Sequence, residues 1–431
     1  MHLAWRSYAL VMLAAVLAVA GIWSGERDLA HLWRIPAALL LLGLAFEGSL
    51  VRRLRPKIRL LTAARAFLGR SQPATLVFAN DSARALLLEY APVTPAGVDA
   101  QAAVRRLRVP PRGACEDHMT LLPVSLGLQA WPALPARLRG PLALGWWDAS
   151  LALDAQLSVA PEILRGGPRV RGLGGGARSR RVAGAGQELH QLRGYLRGDP
   201  LARIDWKATV RSRTLVTREY SEDQHLDIFV AIDAGRLSRV RFGALDRLGI
   251  YSNVAASFAE LVVHNDDRIG LVVYADRVLA SCAPARGLPA VTRLRRTLEQ
   301  LTAHPTESDP TAAAVSIRRL LRQRALIVIL TDLDDANVAE SLARAVRLLA
   351  PPHLVMVAGV HTGDIAALAQ QTAHEWQDPW VGLAATEHEQ RAQSQRALLR
   401  RRGVPVVAAS VEHLQQALFE RYESLRRARR V

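Results

Sequence analysis

Two apolar segments near the N-terminus constrain this chain more than any other feature. Residues 8–23 contain no charged side chain, and residues 35–51 contain a single one, Glu47. Segments of this length lie near the lower limit for a helix that crosses a bilayer core about 30 Å thick. We therefore predict two membrane-spanning helices, joined as a hairpin by the short connection between them. Glu47 lies close to the predicted inner boundary, where we expect its carboxylate to reach the headgroups or to pair with a neighbouring arginine.

Basic residues outnumber acidic ones, and their position sets the predicted orientation. The sequence has 56 Lys and Arg against 39 Asp and Glu, a formal net charge of +17. Five basic residues follow the second apolar segment closely: Arg52, Arg53, Arg55, Lys57 and Arg59. Because basic loops stay on the cytoplasmic side, we expect the N-terminus and everything after Arg52 to be cytoplasmic. Cleavage of a signal peptide near residues 18–20 is an alternative that leaves the downstream orientation unchanged.

Composition limits the classes of protein that remain. The two cysteines, Cys115 and Cys282, lie far apart, which excludes a disulfide framework. The positive charge leaves a basic nucleic-acid-binding membrane protein open as an alternative. Because no recognised nucleic-acid-binding motif accompanies the charge, we expect the lipid bilayer and other proteins as partners, and no nucleic acid.

Short apolar runs broken by Pro, Gly and Asn fill residues 56–163, after the predicted membrane hairpin of residues 1–55. The runs lie at 74–80, 85–92, 104–111, 140–148 and 155–161. Strands at this spacing, with turn residues between them, predict a small β-sandwich. Trp131, Trp146 and Trp147 are expected to pack in its core or at its rim rather than to form a binding platform.

Residues 226–431 alternate between runs typical of buried strands, rich in apolar and β-branched residues, and helical patterns. The runs lie at 226–232, 268–274, 325–331, 353–360 and 404–409, and the helical patterns at 243–264, 311–323, 337–350 and 385–402. This alternation predicts a doubly wound, largely parallel sheet, so that the whole chain belongs to the α/β class. Ligands of such sheets bind beyond the carboxyl ends of the strands, where Asp233 and Asp332 fall.

The Gly- and Arg-rich residues 164–186 separate the two predicted domains. A run of glycines at 172–176 raises the question of a phosphate loop. No strand precedes the run, and no Gly-Lys-Ser/Thr follows it, as such a loop requires. We therefore predict a flexible linker.

A dense polar segment, residues 187–225, joins the linker to the predicted α/β domain. Its distinctive residues, called the signature here, are Glu188, Leu192, Arg193, Tyr195, Gly198, Asp199, Arg203, Ile204, Asp205, Trp206, Lys207 and Arg211. The run fits neither an amphipathic helix nor a coreless loop, so its residues either brace the fold or bind a partner. Interleaved charges favour a brace in which Asp199 and Asp205 pair with neighbouring arginines.

The signature contains a single indole, Trp206. Because few other large apolar groups lie near it in the sequence, we expect Trp206 to be buried and to anchor the segment onto the α/β domain. Arg193 and Arg203 are expected to project their charge, so that replacing either one alone costs little stability.

The spacing of the signature residues resembles that of the bacterial family called domain of unknown function 58. The resemblance implies an immunoglobulin-like module for the β-sandwich and a von Willebrand factor A-like domain for residues 226–431. It also implies a membrane tether and a partner, a MoxR-type AAA+ ATPase. With two predicted spans, the expected location is the bacterial inner membrane, with the bulk of the chain in the cytoplasm.

Von Willebrand factor A-like domains commonly hold a divalent cation at an Asp-x-Ser-x-Ser loop, completed by a Thr and a second Asp. Here Asp233 begins the loop, but Gly235 and Leu237 occupy the two serine positions. Thr311 and Asp332 remain in suitable places, with Ser308 and Asp309 nearby. The missing oxygen ligands predict a degenerate site and no cofactor, although Mg²⁺ stays open as an alternative. Without an ion, Asp233 and Asp332 are expected to cap helices or to pair with arginines.

No catalytic motif accompanies these features. The sequence lacks a zincin helix, a nucleophile elbow and a reactive-cysteine context. We therefore expect a non-catalytic, membrane-anchored adaptor or scaffold that works with the ATPase in a chaperone-like or complex-maturation role. A hydrolase acting on envelope or protein substrates remains the alternative.

Overall fold

Both apolar N-terminal segments form helices in the computed structural model, which describes residues 2–24, 31–100, 103–162, 182–184, 188–222, 226–333, 336–361 and 363–427. Helix α1 spans Trp5–Ser24 and helix α2 spans Arg34–Arg53. Each is long and apolar enough to cross a membrane, so both are candidate spans. Arg52 and Arg53 lie in the last turn of α2, where positive charge is favourable against the helix dipole.

Three sheets complete the first compact unit, Met1–Ala160. Its strands are β1 His2–Leu3, β2 Lys57–Thr62, β3 Arg65–Phe67, β4 Gln72–Asn80, β5 Leu86–Tyr90, β6 Val98–Ala100, β7 Arg105–Val109, β8 Gly113–Pro123, β9 Gly127–Ala130, β10 Leu134–Arg139, β11 Gly145–Leu151 and β12 Gln156–Ala160. The sheets have the orders β1-β11-β10-β5-β7, β2-β4-β8-β6 and β3-β12-β9. Burial alternates along β4 and β5, and the ring of Phe78 on β4 lies 4.9 Å from that of Tyr90 on β5. The five-stranded and four-stranded sheets therefore pack against each other.

Glu47 has partners that differ from the predicted ones. Its side chain is fully buried, and its carboxylate accepts hydrogen bonds from the backbone N–H groups of Leu144 (3.3 Å) and Gly145 (3.1 Å). Leu144 ends the turn between β10 and β11, Gly145 is the first residue of β11, and Gly140 in the same turn leaves room for the carboxylate. The expectation of a headgroup or arginine contact is therefore wrong. The two backbone N–H groups satisfy the buried carboxyl oxygens, and these bonds hold α2 to the sheet.

A six-stranded sheet forms the centre of the second unit, Pro161–Val431. The strands of this unit are β13 Val182–Gly184, β14 Glu188–Gly194, β15 Val216–Glu222, β16 Asp227–Asp233, β17 Arg241–Phe242, β18 Leu245–Asp246, β19 Arg268–Tyr274, β20 Val278–Ala285, β21 Ala325–Leu330, β22 Leu354–Val360 and β23 Val406–Ala409. Its helices are α3 Trp206–Ser212, α4 Arg247–His264, α5 Gly287–Glu299, α6 Pro310–Leu320, α7 Ala336–Leu349, α8 Gly363–Gln370, α9 Asp378–Arg401 and α10 Leu414–Arg427. The sheet order is β20-β19-β16-β21-β22-β23, and every neighbouring pair is parallel except β19 and β20.

Helices cover both faces of this sheet because successive side chains of its central strands point to opposite sides. Ile228, Val230 and Ile232 of β16 pack in a core with α4, α5 and α10. Phe229 and Ala231 of the same strand pack in a second core with α6 and α7. The mixed α/β class is thus confirmed, and each of the five strand-like runs indicated by the sequence overlaps a strand of this sheet.

Some elements differ from the sequence prediction. The antiparallel edge strand β20 and helices α5, α8 and α10 were not predicted. Helix α9 begins at Asp378 rather than at residue 385, because Pro379 occupies its first turn, where a missing N–H costs nothing. Of the predicted linker 164–186, only 182–184 lie among the described residues, where they form β13.

We expect Glu47→Leu to lower the stability of the first unit. The change leaves two buried N–H groups without an acceptor, at about 1–3 kcal/mol each. Thermal unfolding in detergent, followed by circular dichroism, measures the effect. Ser49→Ala, at an exposed position on the same helix, is the control. Equal melting temperatures for Glu47→Leu and Ser49→Ala would contradict the role of the carboxylate.

Candidate functional site

The signature segment forms two paired strands and a structured connection between them. Strands β14 and β15 pair antiparallel, and the connection 195–215 between them carries α3 and a short 3₁₀ turn at Leu201–Arg203. The connection is tied to its base by backbone bonds from Tyr195 N–H to Leu215 O and from Asp205 N–H to Val216 O, both 2.8 Å. The fold of this connection therefore depends on contacts within the signature segment.

Asp199 holds the first half of the connection. Its two oxygens accept from the two terminal nitrogens of Arg193 at 2.8 and 2.9 Å, and one of them also accepts from Leu196 N–H at 3.0 Å. The Arg193 guanidinium and the Leu196 N–H lower the pKa of Asp199 to about 2. Gly198 before it has φ +111°, a conformation that other residues rarely adopt. The expectation that Arg193 projects its charge is wrong, because both ends of its guanidinium bind Asp199.

Asp205 fixes the conformation of the second half of the connection. It is the N-cap of α3, where its carboxylate accepts from Ala208 N–H at 2.9 Å, and it also accepts from Arg218 Nε at 3.0 Å. The Ala208 N–H, followed by Arg218, lowers the pKa of Asp205. The helix then ends at Arg213, which has left-handed φ and ψ. Both carboxylates therefore have structural partners within the signature.

Trp206 is not buried: 64% of its surface is exposed, and the expectation that it anchors the segment is wrong. Ile204 is the buried residue instead, at 5% exposure, and it forms a bridge with Thr217 of β15. Because Asp205 then caps α3, the helix begins at Trp206 and turns the indole outward. No residue of α3 is buried.

The exposed side chains of the connection form a mixed apolar and basic surface, called the signature surface below. Its apolar members are Leu196, Leu201, Trp206 and Val210, and its basic members are Arg197, Lys207, Arg211 and Arg213. Trp206 and Val210 share one face of α3, and Lys207 and Arg211 share the adjacent face, since residues four apart are neighbours on a helix. Residues 191–218 carry seven basic and two acidic residues, a net charge of +5.

Other signature residues are placed as follows. Tyr195 and Arg203 are partly exposed at the two ends of the connection's first half. The side chain of Glu188, which the sequence also indicates, lies outside what the structure describes. The signature surface is therefore carried by residues of the connection 195–215.

The second candidate site lies at the carboxyl ends of β16 and β21. Asp233 is buried, and its carboxylate accepts from Gly235 N–H (2.9 Å), from Thr331 Oγ1 (2.7 Å) and from Ser308 Oγ. Burial raises the pKa of Asp233 in spite of these three donors. Asp332 pairs instead with Arg247 of α4, and both side chains are almost completely buried.

Ser308 explains why residue 235 is a glycine. A Cβ at Gly235 would clash with Ser308 Oγ and would lie 3.0 Å from Thr306 O. A hydroxyl from a different loop thus occupies the space that the first serine of a metal-binding loop would need. Ser238 Oγ donates to Asp233 O at 2.6 Å. Thr311 lies in the first turn of α6, where its N–H donates to Asp309, and no described contact brings its hydroxyl to Asp233.

The residues present do not fit the divalent cation that the resemblance implies. Asp233 already accepts three hydrogen bonds, and the guanidinium of Arg247 occupies Asp332 and would repel a second cation. Within the described residues, no group of three or more His, Cys, Asp or Glu side chains is arranged to hold a metal. The sequence indicated an arginine partner for the aspartates, but it gave no local signal for Arg247, which lies 85 positions from Asp332.

We expect Gly235→Ala to destabilise the second unit, because overpacking a filled site costs about 1–3 kcal/mol. Adding Ser308→Ala removes the clashing oxygen, so the double variant should be more stable than the sum of the two single changes predicts. Gly194→Ala, where a Cβ meets nothing within 4 Å, is the control. Chemical denaturation measures the wild type and all four variants. Strict additivity would show that Ser308 does not fill the serine position.

We expect no saturable heat signal when Mg²⁺ or Mn²⁺ is titrated into the full-length chain in detergent, and no rise in its melting temperature. The physical reason is that the Arg247 guanidinium already pairs with Asp332 and would repel a cation there. Micromolar binding that disappears in Asp233→Ala would contradict the assignment. Asp276→Ala, a change at an exposed carboxylate, is the control for loss of charge alone.

Three solved structures show distant likenesses to this chain. Proximal thread matrix protein 1 from the mussel byssus is 12% identical, with a TM-score of 0.30 over 47% of this chain and 45% of its own, so the chain spans less than half of that protein. The CARDB domain of a Pyrococcus furiosus protein is 8% identical, with a TM-score of 0.16 over 25% of this chain and 88% of its own. A protein of unknown function from Porphyromonas gingivalis is 16% identical, with a TM-score of 0.18 over 24% of this chain and 44% of its own. With TM-scores this low, the three likenesses carry no argument.

No curated protein matches this chain. One family model does match, over residues 191–409, which is just over half of the sequence and includes most of the signature and the α/β sheet. The matching family is described as proteins of unknown function, DUF58. The chain belongs to this DUF58 family.

Proposed function

We propose that the chain is a membrane-anchored, non-catalytic adaptor whose signature surface binds a protein partner. The partner implied by the resemblance is a MoxR-type AAA+ ATPase, working with the chain in a chaperone-like or complex-maturation role. The observation that carries the proposal is the exposure of Trp206 and Val210 beside Lys207 and Arg211. Exposed Trp and Arg are enriched at the energetic centres of protein interfaces, and a folded chain gains nothing from exposing them together.

The crevice of the α/β domain supports a binding role over a catalytic one. Asp233 and Asp332 are the carboxylates at the strand ends, where ligands of such sheets bind. Both are engaged by groups of the chain itself, Asp233 by hydroxyls and Asp332 by Arg247. We propose that this domain is von Willebrand factor A-like and that the first unit carries an immunoglobulin-like sandwich, each serving as a scaffold.

The charge of the signature surface points to an acidic partner surface. With Arg193 and Arg218 engaged by Asp199 and Asp205, the remaining basic side chains of the connection face solvent or lie at its edge. Complementary charge would speed the encounter and fix the orientation, while Trp206 and Val210 would supply the apolar contact.

Replacing Trp206 and Val210 together by serine should abolish co-purification of the ATPase from solubilised membranes. An interface tryptophan contributes about 2 kcal/mol or more, a weakening of about 30-fold. The melting temperature should stay nearly unchanged, because both side chains are exposed, at 64% and 78%. Pull-down and thermal unfolding measure the two effects.

The matched control replaces Trp376 and Val381, an exposed tryptophan and valine near the start of α9. This control should retain the ATPase. Lys207→Glu with Arg211→Glu should also lose it, because like charges face each other across the interface. A Trp206 and Val210 variant that unfolds, or one that is stable and still retains the ATPase, would defeat the docking proposal.

The anchor is the second part of the proposal. Helices α1 and α2 have the length and composition of spans, and basic residues follow α2, which supports a multi-pass protein of the bacterial inner membrane with its bulk in the cytoplasm. A reporter fused after Val431 should behave as cytoplasmic, and one inserted at Asp28 should behave as periplasmic. A C-terminal reporter that is active only outside the cytoplasm would overturn both the orientation and the ATPase partnership.

A further inference from the structure

A cleft of about 300 Å³ lies between the end of α2 and one end of the five-stranded sheet. Val51 and Leu54 form its helix side. The sheet side comes from the start of β5, the end of β7 and the end of β10, which lie side by side because the strands are antiparallel. The turn that Glu47 binds begins at the edge of this cleft, with Gly140 and Pro141.

Three arginines line the cleft, and no acidic residue is among the described residues of its lining. The arginines are Arg84, Arg108 and Arg139, and none of them forms a salt bridge with another residue of the described chain. The Nε atom of Arg139 is buried without a hydrogen-bond acceptor, and the guanidinium carbon lies 5.8 Å from the centre of the Trp146 ring. An anion with several acceptor oxygens would satisfy this donor and offset the repulsion among the three cations.

The rest of the lining is apolar. Val51, Leu86 and Leu138 are buried, and Leu54 and Leu87 are partly buried. A small inorganic anion would leave this surface unused. A ligand that joins an anionic head to a hydrocarbon part would use both, so the lining fits an amphiphile better than a free ion.

If α2 spans the membrane as proposed above, the cleft lies at the level of the lipid headgroups. Val51 and Leu54 flank Arg52 and Arg53, at which α2 would leave the hydrocarbon core. The cytoplasmic leaflet carries anionic lipids, and basic pockets at the ends of spanning helices bind their headgroups.

We infer that the cleft binds an anionic phospholipid of the cytoplasmic leaflet. The phosphate lies among Arg84, Arg108 and Arg139, and the glycerol and first methylenes lie on Leu54 and Leu87, the partly exposed leucines of the lining. The lipid thereby joins α2 to the sheet, alongside the bond from Glu47 to the turn.

The test uses the full-length chain in neutral detergent micelles, with phosphatidylglycerol or phosphatidylcholine added. Native mass spectrometry counts the bound lipid. The wild-type chain should retain phosphatidylglycerol in preference to phosphatidylcholine. Arg84→Gln with Arg108→Gln and Arg139→Gln should reduce its retention about tenfold or more, since each charge-assisted bond contributes to affinity.

Arg137→Gln is the matched control, because Arg137 lies two residues from Arg139 on the same strand and pairs with Asp148 outside the cleft. This variant should bind phosphatidylglycerol as the wild type does. Arg84→Gln with Arg108→Gln, which leaves the partly buried Arg139 in place, covers the case in which the triple variant fails to fold. Equal retention of the two lipids by the wild type, or unchanged retention in the folded double variant, would overturn the inference.

Two further measurements test the lipid assignment and the membrane anchor separately. If millimolar inorganic phosphate displaces the bound phosphatidylglycerol, the cleft recognises phosphate alone and the lipid assignment is overturned. Extraction of cell membranes with alkaline carbonate tests the anchor separately. A chain released by carbonate refutes the anchor, while selective lipid retention in micelles still measures the cleft.

Discussion

Two aspartate carboxylates determine the shape of the signature, and the proposed function depends on that shape. Asp199 binds Arg193 and a backbone N–H, and Asp205 caps α3 and binds Arg218. These bonds leave few free conformations to a connection that has almost no core of its own. The connection is therefore ordered without burying Trp206, and this separates the residues that shape the segment from those available to a partner.

In the α/β domain, the two aspartates at the strand ends also have partners from the chain itself. Arg247 neutralises Asp332 in a buried pair, and Ser308 fills the space beside Asp233 that a serine at position 235 would occupy. A doubly wound sheet normally presents its strand ends to a ligand. Here the chain's own side chains occupy that crevice, which is why we propose the signature as the binding surface.

The sequence predicted what depends on local pattern and missed what depends on distant contacts. Runs rich in apolar and β-branched residues, such as 226–232, identified the central strands, because strands buried on both faces need them. The edge strand Val278–Ala285 is half-exposed and carries no such run. The Asp199 and Asp205 braces were foreseeable from interleaved charges, whereas the exposure of Trp206 was not, because composition does not show that Ile204 is buried in its place. The Glu47 bond to Gly145 spans 98 positions and has no local signal.

We propose that a partner covers the signature surface of this chain. Hydrogen–deuterium exchange of the full-length protein, with and without the MoxR-type ATPase, tests it most directly. We expect amides of residues 195–213 to become protected in the complex, while those of the strand Asp227–Asp233 stay unchanged because they are already buried. Protection confined to the strand-end loops around Asp233 and Asp332, with none in 195–213, would contradict it.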